Sequence, residues 1–298
     1  MIDWFLYAMG SAIFFGYTVI VDKLMLEKRL SSFSYFVTYS PPSLLFSIYF
    51  LLLSGPNILS VPYGIAFVAG VISAGGYFSY AISIKSEEAS RVAALTSLAP
   101  AFVAVLAVFL VNEIFTTKSY AGIILMILGS GLISYKNNHL KKMIPLSLIV
   151  VLIVTNFFFG LEQTISKISL DQISSWRFLM VFFFGRFTVA LPGLAISSVR
   201  KKFTLQVRGL GKTLAFTLAS GSVMWSLAIT FFFYAASLGP ITLVSTIGLI
   251  SPLFTLLFAI LTTKCFPELL NEEIDRRTVA LKFIAIVLII FGTYLIIW

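Results

Sequence analysis

The sequence predicts an all-α integral membrane protein: ten transmembrane helices arranged as two inverted five-helix repeats. Three observations carry that reading. Ten apolar runs of roughly 16 to 25 residues follow one another with short connections, and a bilayer core takes ~20 helical residues to cross. Hydrophobic residues make up 59% of the 298 positions and charged residues only 11%, against about 25% charged in an ordinary soluble domain. Short motifs in the first half recur in the same order in the second.

The first run spans Trp4 to Val21 and the second Phe33 to Leu53, interrupted by Pro41-Pro42. The third covers Tyr63 to Ile84 with Gly75-Gly76 inside it, and the fourth covers Val92 to Val111 with Pro100. Ser119 to Tyr135 is the fifth and Met143 to Ile165 the sixth. Trp176 to Val199, with Pro192, is the seventh, and Leu214 to Leu238 the eighth. Ile241 to Thr263, with Pro252, and Val279 to Trp298 complete the set. Barrel strands would be ~10 residues of alternating polarity; uniform runs of this length fit helices, which satisfy their own backbone in lipid. The prolines and the Gly75-Gly76 pair are expected to interrupt helices and act as hinges.

Composition also excludes several classes. The formal charge is +9, but the basic residues sit in clusters between apolar runs, the pattern of loops that hold orientation, so no nucleic-acid partner is expected. Cys265 and His139 are each the sole residue of their type, which leaves no intramolecular disulfide, no metal constellation and no expected cofactor. The opening Met-Ile-Asp-Trp has no basic stretch before its apolar run, so the first helix is expected to be retained rather than cleaved. No Gly-x-x-x-x-Gly-Lys-Ser/Thr is present, so transport would draw on a gradient or exchange. Paired catalytic groups within the spans are absent, which argues against an intramembrane enzyme.

Orientation follows from charge. Lys23, Lys28, Arg29; Lys85, Arg91; Lys136, Lys141, Lys142; Arg200, Lys201, Lys202, Arg208, Lys212; and Lys264, Arg276, Arg277, Lys282 place 17 of 21 basic residues at odd-numbered connections. Lys118, Lys167 and Arg177 lie at the even ones. The positive-inside rule then puts odd loops in the cytoplasm and both termini outside, in a plasma (inner) membrane. The repeat appears as Phe14-Phe15-Gly16 with Lys23 against Phe158-Phe159-Gly160 with Lys167, and Leu30-Ser31-Ser32-Phe33 against Ile173-Ser174-Ser175-Trp176. Ser97-Leu98-Ala99-Pro100 parallels Leu249-Ile250-Ser251-Pro252, and Gly129 parallels Gly292. Residues 1–138 and 139–298 form the two repeats, and an odd number of helices per half makes them inverted.

On these motifs, above all Ala94 to Ser134 with Pro100, Asn112-Glu113 and the Gly122 to Gly131 helix, the chain resembles the EamA-type family of the drug/metabolite transporter superfamily. Lys264-Cys265 stands where the second half of that family carries its Glu. The resemblance implies a pocket walled by helices 1 to 4 and 6 to 9, with 5 and 10 outside. Tyr77 and Tyr80, on a face with Ser73 and Gly76, and Trp225 and Tyr234 in the eighth helix become pocket candidates by that resemblance.

Ionisable groups inside spans are the most informative residues, because a charge at the bilayer centre costs ~2.5–3.5 kcal/mol on insertion scales. Arg186 lies ten residues into the seventh helix and either anchors an anionic substrate group or pairs with a carboxylate. Glu162, beside Gln163, is a coupled-proton carrier, a counter-ion to Arg186, or an interfacial residue. Thr155, Phe159, Glu162 and Ser166 share a helix face, bordered by Asn156, that is polar enough to line a cavity. Asp22-Lys23 reads as an interfacial cap or ion pair, and Glu87, Glu88 and Arg91 as helix-start charges favoured by the dipole. The expected function is alternating-access transport of a small carboxylate-bearing or zwitterionic metabolite such as an amino acid. The alternatives are a broad-specificity drug or amphiphile exporter and a scaffold or lipid-handling protein. The partners are a small solute and the bilayer.

The charge asymmetry makes a direct prediction. A single cysteine in the loop from Arg200 to Arg208, in a Cys265→Ser background, is expected to resist an impermeant thiol reagent added outside intact cells and to react after permeabilisation. Labelling from outside would reverse the topology.

Overall fold

The computed structural model of the chain describes residues 3–28, 30–55, 60–86, 96, 98–133, 146–265 and 276–297. Glu87, Glu88, Arg91 and His139 lie outside them. Among the described residues the secondary structure is helical throughout. The helices are α1 (Asp3–Lys28), α2 (Ser32–Thr38), α3 (Ser40–Ser54), α4 (Val61–Ser86), α5 (Ala99–Leu110), α6 (Thr117–Ile133) and α7 (Leu146–Leu170). They continue as α8 (Ser175–Thr188), α9 (Leu191–Ala195), α10 (Ser197–Arg208), α11 (Lys212–Leu238), α12 (Ile241–Ile247), α13 (Ser251–Cys265) and α14 (Arg276–Ile297). A 3-10 turn, Gly248–Ile250, joins α12 to α13. Six segments are long and apolar enough to cross a bilayer: Asp3–Leu26, Ser32–Ser54, Val61–Ser83, Ile149–Leu170, Ser175–Ala195 and Lys212–Leu238. Ala99–Leu110, Thr117–Gly129 and Ile241–Thr255 are shorter apolar helices. The chain is an integral membrane protein.

Several breaks fall where proline placed them. Pro41-Pro42, Pro192 and Pro252 each sit in the first turn of a helix that restarts after an interruption, and Pro100 sits in the first turn of α5, where a missing N–H costs no hydrogen bond. Gly75-Gly76 does not interrupt: α4 runs through it. Gly76 instead admits Phe158 and Phe159 of α7, since a Cβ there would lie 3.0 Å from the Phe159 ring. Two ends differ from the sequence expectation. Helix α1 continues to Lys28 rather than stopping at Val21, and the region read as a basic loop after Val199 holds the amphipathic helix α10. Its Arg200, Lys201, Lys202 and Arg208 share a helix without a buried residue, and Gln206 Oε1 ties it to α2 by accepting from Ser31 N at 3.3 Å and Ser31 Oγ at 3.1 Å.

Close helix approaches hold the bundle together, because apolar helices in lipid gain little from hydrophobicity and associate through packing of small residues. Helix α1 packs on α11 and α13, α4 on α7 and α8, α3 on α8, α5 on α7, and α6 on α14. A Cβ on Gly16 would stand 2.7 Å from Phe254 Cβ of α13, and one on Gly160 would stand 2.7 Å from Phe102 Cβ of α5. Between α6 and α14, Gly129 meets Ile289 and Ala285, while Gly292 meets Met126 and Gly122. Gly70 of α4 lies against the Phe182 carbonyl and the Arg186 amide, and Gly185 of α8 against the Phe67 carbonyl.

Asn112 ends α5 with a positive φ of 54°, a conformation that Asn adopts more readily than most residues. The turn directs Glu113 to the start of α12, where Oε1 accepts from Ile241 N at 2.7 Å and Oε2 from Thr242 N at 3.1 Å. A carboxylate satisfies two orphan helix donors and meets the positive end of the helix dipole. The fixed turn and the cap together join the two halves of the chain.

Gly70→Val is expected to lower the unfolding free energy of the purified protein by about 1–3 kcal/mol or more through overpacking against backbone. Gly75→Ala has open space around the new methyl and is expected to melt at or above wild type, since Ala is the better helix former by ~0.5–1 kcal/mol. Thermal unfolding in detergent compares them; equal losses would contradict the packing at Gly70.

Candidate functional site

The paired glycines of α4 and α8 bring the Arg186 backbone against α4, and the side chain enters a buried aromatic cluster. Arg186 is 2% exposed. Its Nη1 donates to Ser73 Oγ at 3.2 Å, and its guanidinium carbon lies 3.8 Å from the Trp225 ring centroid and 4.8 Å from that of Tyr77. A desolvated cation over an aromatic face gains ~2 kcal/mol or more, which partly offsets burial. Nη2 is buried without a hydrogen-bond partner among the described residues.

A second charge lies one aromatic ring away. Asp22 is 2% exposed, and its Oδ1 accepts a short hydrogen bond from Tyr35 and longer ones from the Tyr39 and Tyr77 hydroxyls, each at 3.3 Å. Tyr80 stands within interaction range of the same carboxylate. The rings form a continuous group: Tyr35 with Tyr39 at 5.0 Å, Tyr39 with Tyr77 at 5.2 Å, Tyr77 with Tyr80 at 5.8 Å and Tyr77 with Trp225 at 5.7 Å between centroids. The expectation that Asp22 caps a helix at the interface is therefore corrected. It rested on ending α1 at Val21, but the helix carries on past the Asp-Lys pair and turns Asp22 into the bundle. Tyr35 and Tyr39 were not singled out from the sequence, although their i, i+4 spacing places both on one helix face.

Glu162 is 3% exposed, buried inside the bundle rather than on its surface. Its Oε1 has no hydrogen-bond partner among the described residues, and it makes no ion pair within 4 Å of Arg186, whose contacts are Ser73, Trp225 and Tyr77. Gln163, half-buried, also holds an unpartnered Oε1. Along the same helix Asn156 Nδ2 donates to Leu152 O at 2.7 Å, Thr155 Oγ1 to Val151 O at 2.8 Å and Ser166 Oγ to Glu162 O at 2.6 Å. These polar side chains bond their own helix backbone.

Tyr234 is not part of the Arg186 cluster. It packs on Tyr7 at 4.6 Å and Trp176 at 5.5 Å between centroids, and the three line a cavity of about 150 Å³ with Thr230 and Phe231. The reason is helical rise: nine residues separate Trp225 from Tyr234, about 13 Å along α11. Among the described residues no group of three His, Cys, Asp or Glu side chains is placed to hold a metal ion.

The arrangement is a buried guanidinium with free hydrogen-bonding capacity, set among rings that also enclose a carboxylate. Comparison with known proteins gives this geometry a context. Residues 3–135 match the EamA-like transporter family. Over that segment the chain is similar to membrane transporters, and the match identifies no substrate. Asp22, Tyr35, Tyr39, Ser73, Tyr77 and Tyr80 all fall in the EamA-like half, whereas Glu162, Arg186 and Trp225 lie beyond the matched segment. No curated protein matches the chain. A solved crystal structure is similar at 13% identity with a TM-score of 0.63, covering 96% of each chain. It shows a shared fold over both halves.

Removing one member of a contacting buried ion pair costs about 3–5 kcal/mol. Because Glu162 and Arg186 are not in contact, Glu162→Gln is expected to melt no lower than wild type, and a large drop in unfolding temperature would indicate that the two pair directly.

Proposed function

We propose that the protein is a ten-helix secondary transporter whose residues 1–138 and 139–298 are inverted repeats, moving a small carboxylate-bearing or zwitterionic metabolite by alternating access. Reciprocal packing supports the repeat. Gly16 meets Phe254, two residues after Pro252, while Gly160 meets Phe102, two residues after Pro100. Gly129 and Gly292 exchange equivalent contacts across α6 and α14. A two-fold relation that superposes Gly16 on Gly160, Phe102 on Phe254 and Gly129 on Gly292 accounts for all of these contacts. The membrane is taken as the plasma membrane with both termini outside, on the strength of the basic odd-numbered connections.

The observation that carries the substrate class is the Arg186 guanidinium, buried and stacked on Trp225 with Nη2 left open. An unmet donor on a buried cation is costly, and the fork geometry of guanidinium suits a carboxylate.

Purified protein screened against carboxylates supplies a ligand that raises its melting temperature, and uptake of that ligand is then measured in proteoliposomes. Arg186→Ala is expected to abolish uptake while the protein stays folded and monodisperse. Arg186→Lys is expected to retain only a small fraction, because an ammonium keeps the charge and loses the planar fork. Unimpaired uptake by Arg186→Ala would remove both the anchor and the preference for anionic or zwitterionic solutes.

A further inference from the structure

Among the described residues the buried charged side chains are Asp22, Glu162 and Arg186: two carboxylates against one guanidinium. A carboxylate in the membrane interior is costly unless its charge or hydrogen-bonding demand is met. Neither carboxylate contacts Arg186. Among the described residues Asp22 is met by tyrosine hydroxyls, with Tyr35, Tyr39 and Tyr77 all donating to the single oxygen Oδ1. The donors converge from α2 (Tyr35), the turn between α2 and α3 (Tyr39) and α4 (Tyr77) on a residue of α1. Aromatic faces surround the group, with Tyr35, Tyr39, Tyr77 and Trp225 in mutual ring contact.

Those elements are what an organic ammonium group requires. A carboxylate supplies the counter-charge, hydroxyl oxygens accept N–H bonds, and electron-rich ring faces attract the cation. A small inorganic cation would gain from the oxygens but has no use for the rings. Tyr77 links the two charges of the cluster, with its hydroxyl on Asp22 at 3.3 Å and its ring 4.8 Å from the Arg186 guanidinium carbon. We infer that Asp22, in its cage of Tyr35, Tyr39, Tyr77 and Tyr80, is the binding site for the ammonium end of the substrate, opposite the Arg186 site for its anionic end. The inference rests on the proposed transport function and narrows it: the substrate carries both charges, separated by the width of one tyrosine ring. With the site closed, tyrosine hydroxyls occupy the hydrogen-bonding positions that ammonium N–H groups take in the loaded protein.

The test uses the full-length purified protein and four probes of one carbon frame: butylammonium, butanoate, 4-aminobutanoate and 1-butanol, titrated by thermal shift at constant pH and ionic strength. Butylammonium is expected to stabilise wild type and 1-butanol is not; 4-aminobutanoate is expected to stabilise at lower concentration than either singly charged probe. Asp22→Asn is expected to weaken butylammonium by at least roughly tenfold, the loss of a charge-assisted contact, and to leave butanoate within about twofold. Arg186→Gln is expected to do the reverse. The wild-type comparison of butylammonium with 1-butanol decides the matter even where Asp22→Asn fails to fold. Equal effects of those two probes, no effect of butylammonium, stabilisation by sodium chloride in its place, or undiminished butylammonium binding by Asp22→Asn would each overturn the ammonium site. Loss of the butanoate response alone, in wild type, would sink the Arg186 reading and leave the Asp22 site standing.

Discussion

Close backbone contact between helices is the constraint on which everything else in this protein depends. In lipid the exterior of a helix bundle is as well solvated as its apolar interior, so contact must come from fit, hydrogen bonds and short interaxial distances. Glycine provides the fit at Gly16, Gly70, Gly129, Gly160, Gly185 and Gly292, where a Cβ would run into a neighbouring helix. These positions set how helices are rotated against each other, and rotation decides which side chains face inward. Gly70 and Gly185 illustrate the consequence: by seating α8 on α4 they place the Arg186 amide at α4 and its guanidinium next to Ser73 of the same helix.

Burial of charge follows from that geometry. Arg186 is tolerated at 2% exposure because two ring faces and one hydroxyl receive it, and Asp22 because tyrosine hydroxyls do. The Arg186 arrangement leaves Nη2 open, and Oε1 of the nearby buried Glu162 likewise has no hydrogen-bond partner among the described residues. A purely structural network gains by satisfying every member, and the open valences here support the proposed site. The Glu113 cap differs in kind. It satisfies two amides of α12 with both carboxylate oxygens, a closed interaction that fastens the chain's halves and leaves nothing for a ligand.

Much of this was legible in the chain and some of it was not, and the division has a physical basis. Helix positions follow from runs of apolar residues, and prolines marked the starts of α3, α5, α9 and α13 because proline acts on its own backbone. The Gly75-Gly76 pair misled for the complementary reason: glycine permits a break without requiring one, and here a neighbouring helix uses the space. The end of α1 was misjudged because Asp22-Lys23 looks like a boundary to any local measure of hydropathy. The burial of Asp22 comes from hydroxyls 13, 17 and 55 residues away, which no window along α1 contains. Tyr35 and Tyr39 were hidden by abundance, as two of 12 tyrosines and 30 phenylalanines.

By itself the sequence determined that the chain lives in a membrane, where its helices lie, and that Arg186 and Glu162 sit within apolar spans, because hydropathy and charge are properties of consecutive residues. Only the tertiary structure decided that Arg186 meets Trp225 rather than Glu162, that Asp22 joins a tyrosine cage, and that Tyr234 is diverted to a separate cavity with Tyr7 and Trp176. Those outcomes depend on the rotation and depth of helices distant in the chain, and these are fixed by steric contact at glycines whose partners lie on other helices, often more than a hundred residues away.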